Sequence, residues 1–171
     1  MPLPEWSQIA YRALRAAGVT VAAYVPDIVL APLIAQLDGD PAVRAVSCTR
    51  EEEAVGVLAG AALGGQRGVL LMQSSGLGNS INALTSLIEP YRFPLLALIS
   101  PRGELGEWNP SQVPMGRVLR PMLDLVGIQH LTAVDPAALG DQIAGAARQV
   151  YGADARYAIV LSPLLTGGNR G

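Results

Sequence analysis

Cysteine and histidine are nearly missing from this chain: one residue of each occurs, Cys48 and His130. A lone cysteine rules out an intrachain disulfide, and one Cys with one His makes no recognisable metal-ligand set. Charge is sparse as well. Only 15% of the residues are charged, against roughly a quarter in an average soluble domain. The basic residues form no cluster able to neutralise a run of phosphates, and the net charge is −2, so nucleic-acid binding finds no support. No apolar run approaches the ~20 residues of a membrane helix, because Gly and charged residues interrupt each one. The start, Met1-Pro2-Leu3-Pro4-Glu5, lacks the basic residues and apolar stretch of a signal peptide. These absences predict a soluble protein of the reducing cytoplasm.

What is abundant is apolar. Half of the 171 residues are hydrophobic, enough for one domain with a sizeable core. So few charges imply a dense α/β domain, a surface partly covered by another chain, or both. Trp6, Ile9, Ala10, Ala13, Leu14 and Ala17 recur at helix spacing, and Gly18 suits a C-terminal cap. Residues 19–25 read as a strand stopped by Pro26-Asp27, and residues 30–37 as a helix. A strand over 43–48 precedes a helix over 51–63. Residues 68–72 are apolar on both faces, as in a central parallel strand. A glycine-containing turn, Ser74-Ser75-Gly76-Leu77-Gly78, leads into a helix to about 87. Residues 94–100 read as a strand, 101–115 as the longest loop, and 116–126 as a helix that Pro121 should bend. A strand over 128–134, a helix opened by Asp135-Pro136 and a strand over 157–161 follow, with 167–171 a frayed tail. Six strands alternating with helices predict a parallel sheet covered on both faces, in a single domain over 1–171.

Ligands of such sheets sit beyond the carboxyl ends of the strands. The loops there carry Pro26-Asp27, Thr49-Arg50-Glu51-Glu52-Glu53, Gln73 to Asn79, and Arg102-Gly103-Glu104. Together they would form one polar rim. The glycine-containing turn reads either as a tight strand-to-helix connection or as an anion-binding helix start, and it lacks the Lys-Ser/Thr of a P-loop. The three glutamates suit the positive end of a helix, where at most one or two can face the rim. Ser/His/Asp catalysis fits poorly, since no G-x-S-x-G elbow exists. A Cys48–His130 dyad stays open, although Cys48 reads as a buried strand residue.

The stretch from Thr49 to Gly60, with Glu51 nine positions before Gly60, resembles the pyrimidine-binding domain of thiamine-diphosphate enzymes. The run Leu71-Met72-Gln73-Ser74-Ser75-Gly76-Leu77-Gly78-Asn79-Ser80 is similar to one subgroup, the sulfopyruvate and phosphonopyruvate decarboxylases. So are Asn82-Ala83-Leu84, Pro90-Tyr91, Val25-Pro26-Asp27, Ile99-Ser100, Arg102-Gly103-Glu104 and Gln112-Val113-Pro114-Met115-Gly116.

The resemblance implies a three-layer α/β/α thiamine-diphosphate-binding fold and a mechanism in which the cofactor is the electron sink for decarboxylation. In that family a glutamate hydrogen-bonds the aminopyrimidine and favours its imino form. Carried over, this is Glu51, with Asp27 reaching toward the reacting centre. Gln73, Ser74, Ser75, Gly76, Leu77 and Asn79 would line the cofactor pocket, and Arg102 and Gln112 would serve the substrate. The family's diphosphate and Mg2+ are held by a second domain with Gly-Asp-Gly and a later Asn. Here Gly39-Asp40-Pro41 and Gly140-Asp141-Gln142 do not qualify. The resemblance is therefore to the α subunit of two-subunit sulfopyruvate decarboxylases, with a β subunit supplying that site in a hetero-oligomer. The implied substrate is an anionic 2-oxoacid. Arg50, Arg92 and Arg102 would provide cations, with helix-start amides around residues 77–79. Asp27, Glu104 and Glu107 would oppose a second full charge and favour sulfopyruvate over phosphonopyruvate. Carboligation and a degenerate assembly module are the other readings; an intact Glu51 and Gln73-to-Asn79 run argue against decay.

Overall fold

In the computed structural model, which describes residues 2–168, the chain alternates helices and strands almost throughout. The helices are α1 Glu5–Ala16, α2 Ala31–Asp38, α3 Glu51–Leu63, α4 Ser74–Ala83, α5 Val113–Leu125, α6 Pro136–Ala153 and α7 Pro163–Thr166. The strands are β1 Val19–Tyr24, β2 Arg44–Ser47, β3 Arg67–Gln73, β4 Leu95–Ser100, β5 Gln129–Ala133 and β6 Arg156–Leu161. All pair in parallel in the order β2-β1-β3-β4-β6-β5. Every carboxyl end therefore lies on one edge. The order reverses beside β1, whose sequence neighbour β2 lies on one side and β3 on the other, opening a crevice between β1 and β3.

The strands sort their side chains by alternation. Val69 and Leu71 of β3 and Leu96 and Leu98 of β4 face α1, α2 and α6, meeting Leu14, Leu33, Leu37 and Ile143. Leu70 and Met72, with Leu95, Ala97 and Ile99, face α3, α4 and α5, meeting Val55, Leu58, Leu77 and Leu119. The three-layer architecture follows, and all six residues of β4 are buried. Gly68 permits the second layer to close, since a Cβ there would lie 2.4 Å from Leu58 Cδ2.

Several expectations shift. The glycine-containing stretch is no loop, because Gln73 ends β3 and N-caps α4 directly, making Ser74 to Gly78 helical. The helix does not run uniformly to residue 87; it widens to a π-type turn over Leu84–Ile88, with the Glu89 amide bonding the Leu84 carbonyl five residues back. α5 starts at Val113, after a 3-10 turn over Pro110–Gln112 that Asn109 caps, and continues through the exposed Pro121. Residues 163–166 form a short helix capped by Ser162. The rest of the expected tail, 169–171, lies outside the described residues. Among the described residues no helix is long and apolar enough to cross a membrane.

Candidate active site

The four loops expected to converge do so, because β2, β1, β3 and β4 are adjacent strands. Their side chains form three connected groups. The first spans the crevice between β1 and β3. Asp27 Oδ1 accepts from the Leu30 amide at 3.0 Å, which holds the turn into α2. Its Oδ2 accepts from Gln73 Nε2 at 3.1 Å, and Gln73 Oε1 accepts from Ser75 Oγ at 2.9 Å. Asp27 and Gln73 are half-buried and Ser75 is exposed, so this chain faces outward.

The second group is centred on Glu51. The extended Arg50 turns the chain from β2 into α3, and the three glutamates then diverge by 100° per residue. Glu53 accepts from the Thr49 amide and hydroxyl at 2.9 and 2.8 Å, bonds that hold its carboxyl below the usual range. Glu52 pairs with Arg50 at 2.7 Å. Of the three, Glu51 is the buried residue, only 8% exposed, with Asn79 Nδ2 donating to its Oε2 at 3.3 Å. It lies against the first turn of α4 so closely that a Cβ on Gly76 would sit 2.3 Å from its Cγ and 2.7 Å from its Oε1. Gly76 is thus the space into which Glu51 folds.

The third group ties down the loop after β4. The buried Ser74 hydroxyl accepts from the Arg102 amide at 3.0 Å. The Arg102 guanidinium makes a forked pair with Glu107, at 2.7 Å from Nε and 2.8 Å from Nη2. Glu107 also accepts from the Gly103 and Asn109 amides, both at 3.0 Å. Arg102 foremost, then these amides, lower the Glu107 carboxyl to about 2. The loop returns backbone against backbone. Gly103, at φ 73°, would place a Cβ 2.3 Å from the Gln112 carbonyl, and Gly116 would place one 2.5 Å from the Arg102 carbonyl.

A carboxyl whose pKa falls on folding stabilises the fold above its unfolded value and loses that contribution as pH drops through the folded one. Glu107→Gln should therefore destabilise the fold near neutral pH, since it leaves Arg102 without its carboxylate partner. The deficit should shrink as pH falls from 4.5 toward about 2. Denaturant unfolding of both proteins across that range checks this, and a constant difference would contradict it.

Some expected residues lie elsewhere. Leu77 is fully buried in the core beneath α4, so its side chain does not reach the rim. Ser74 supports the loop through Arg102. Arg92 precedes β4 and lies with Gly127, Gln129 and residues 153–156 near the starts of β5 and β6, the opposite edge from the rim. Arg50 and Arg102 carry their own carboxylate partners, and Glu104 pairs with Arg120 at 2.7 Å. Because α4 starts at Ser74, its open amides are those of residues 74–76, not 77–79. Gln112 is half-buried beside Gly103. A Cys48–His130 dyad is excluded: Cys48 follows outer strand β2 and His130 lies on outer strand β5, five strand spacings or roughly 24 Å away. Burial and the nearby Glu53 carboxylate also raise the Cys48 thiol, while His130 pairs with Asp124 at 3.2 Å. Among the described residues no group of three or more His, Cys, Asp or Glu is placed to hold a metal ion.

Sequence reasoning missed the anchoring role of Glu107 and the steric reason for Gly76. Neither leaves a periodic signal, since each depends on residues brought together by folding.

Known proteins are similar to this chain in sequence and in fold. The thiamine pyrophosphate enzyme N-terminal TPP binding domain family matches residues 5–106. Sulfopyruvate decarboxylase subunit alpha of Methanothermobacter thermautotrophicus is 41% identical over 137 residues, covering 80% of this chain and 83% of the relative. The corresponding subunit of Methanococcus maripaludis is 42% identical over 130 residues, 76% of this chain and 78% of that one. Phosphonopyruvate decarboxylase of Streptomyces viridochromogenes is 45% identical over 113 residues, 66% of this chain but 28% of the relative. Among solved structures, a 2-oxoglutarate:ferredoxin oxidoreductase from Magnetococcus marinus shares the fold, with a TM-score of 0.68 at 14% identity over 92% of this chain and 28% of that one. The chain belongs to the thiamine pyrophosphate enzymes, in the family of the sulfopyruvate decarboxylase alpha subunits.

Proposed function

We propose that this chain is the pyrimidine-binding subunit of a two-chain thiamine-diphosphate-dependent decarboxylase that converts 3-sulfopyruvate to sulfoacetaldehyde and carbon dioxide. One observation carries the reading. Glu51 is buried at the rim with Asn79 as its hydrogen-bond partner, and no ion pair holds it among the described residues. A buried carboxyl kept without a cation is costly as mere structure, whereas one that shares a proton with a bound ring nitrogen has a use for that setting. A non-catalytic assembly module would have no such use.

These residues fit the pyrimidine end of the cofactor. When bound, it supplies an electron sink for the loss of carbon dioxide from a 2-oxoacid. Glu51 would hold a proton at the ring, Asn79 would orient the carboxyl, and Gly76 leaves the room. Asp27, aimed by the Leu30 amide and Gln73, is the second carboxylate at the crevice. Ser75 and the first-turn amides of α4 are the donors open to an anionic group. Arg102 would act by holding its loop, with Gln112 next to that loop toward the substrate's far end.

The diphosphate and Mg2+ would belong to a separate β chain bearing Gly-Asp-Gly. The length match to alpha subunits supports this division, as do exposed apolar side chains on the same edge: Ile28 at 76%, Leu105 at 86% and Trp108 at 63%. A reducing cytoplasm suits the single buried thiol. Phosphonopyruvate is the second reading, favoured by the pairing of Glu104 and Glu107 with arginines, which removes two of the carboxylates set against a second charge. Competition kinetics with both substrates on the reconstituted complex decides between them; a higher kcat/KM for phosphonopyruvate reverses the assignment. The purified single chain should show no turnover, and a diphosphate-binding partner should restore magnesium-dependent activity. Robust decarboxylation by this chain alone would sink the two-chain reading.

A further inference from the structure

On the far side of the molecule, α1 and α6 enclose a groove of about 670 Å³, within the roughly 300–1,000 Å³ of small-molecule sites. Arg67, which begins β3, lines it, so the groove sits toward the starts of the strands, away from the rim. Apolar residues such as Ile9 of α1 and Ala144 of α6 line it, together with three arginines, Arg12, Arg67 and Arg148. Among the described residues no carboxylate lines it.

This concentration of positive charge is not the protein's average, since the net charge is −2. Among the described residues, Arg15, Arg50, Arg102, Arg120 and Arg156 are in ion pairs. Of the arginines outside ion pairs, Arg12, Arg67 and Arg148 face this one groove. Arg67 is held in place: its Nη1 donates to the Ala17 carbonyl at 2.9 Å, and its guanidinium lies 5.3 Å over the Tyr151 ring. Tyr151 is itself anchored by its hydroxyl, which donates to the Gly68 carbonyl at 2.9 Å. The site thus combines a fixed cation, two adaptable ones and an apolar lining.

We propose that this groove binds an organic phosphate carrying more than one negative charge and a ring-sized apolar body, a nucleoside diphosphate being the chemistry that fills both parts. Guanidiniums favour multi-oxygen anions that can take forked hydrogen bonds. The volume and apolar lining exceed what a bare phosphate needs. This inference stands apart from the decarboxylase reading, because it involves none of the rim residues.

Calorimetric titration of the full chain tests it, with adenosine diphosphate, pyrophosphate and adenosine as probes. Adenosine diphosphate should bind saturably, and the other two at least about tenfold more weakly, equivalent to about 1.4 kcal/mol each. Arg12→Glu with Arg148→Glu should weaken binding at least tenfold; both side chains are exposed and outside ion pairs, so folding should be unaffected. Ala144→Leu, which fills the groove without altering charge, should weaken it too, and Glu51→Gln should leave it unchanged. The proposal is overturned by absence of saturable binding, by survival of binding in both groove variants, by pyrophosphate binding as tightly as the nucleotide, or by loss of binding in Glu51→Gln.

Discussion

Glu51→Gln should lower kcat of the reconstituted two-chain enzyme by about 10²- to 10⁴-fold, the range for removing a positioned acid–base group. The substitution keeps the side chain's length and still offers an oxygen to Asn79, whose amide donates to Glu51 Oε2 at 3.3 Å. It removes the one property the role needs, a proton that can be given and taken back. Glu52→Gln and Glu53→Gln should change kcat far less. Glu52 is half-buried and pairs with Arg50, and Glu53 serves the start of α3 through Thr49. Equal losses in all three variants would show that the wrong glutamate has been placed at the ring. Equal thermal stability of Glu51→Gln and the parent would confirm that the loss is chemical.

Gly76→Ala should separate activity from stability more sharply. In an exposed helix interior this change gains about 1 kcal/mol of helix propensity. Here the new methyl would fall 2.3 Å from Glu51 Cγ and 2.6 Å from its Cδ. Those atoms are not the loose tip of the side chain, so Glu51 must leave its rotamer or α4 must shift. A displacement near 1 Å at a reacting group costs about 10²-fold in rate, and kcat should fall by at least that much while the protein stays folded. Gly78→Ala is the matched control. Its Cβ would meet only Met122 Cε, at 4.0 Å, so it should stabilise slightly and leave kcat unchanged. Full activity in Gly76→Ala would mean that Glu51 does not work from the position it occupies.

Much of this site could be read along the chain because its parts are local. The Thr49-to-Gly60 and Gln73-to-Asn79 stretches each lie at one strand-to-helix junction, where strand and helix patterns meet. Glu51 could be singled out by the resemblance, nine positions before Gly60, whereas helix geometry said only that at most one or two of the three glutamates face the rim. Arg92 was misplaced because a polar residue in a turn carries no mark of which sheet edge that turn occupies. Arg50, Arg102, Glu104 and Glu107 could be counted as charges, but only the fold decides which of them neutralise each other. Leu77 reads as a pocket residue by its position in a motif, yet the helix phase turns it into the core.

By itself the sequence determined the alternation of strands and helices, the single parallel sheet, the rim loops and the absence of a disulfide or a Cys/His metal set. These follow from period, composition and residue type, which are properties of the chain taken in order. Tertiary structure alone decided that Asp27 and Gln73 meet across the crevice, that Gly76 exists to admit Glu51, and that Glu107 clamps Arg102. Except for the Arg102–Glu107 pair, these contacts join residues 25 to 46 positions apart, and even that pair needs the backbone of its loop folded against Gly116. Each depends on distances between chain segments, which no periodicity records.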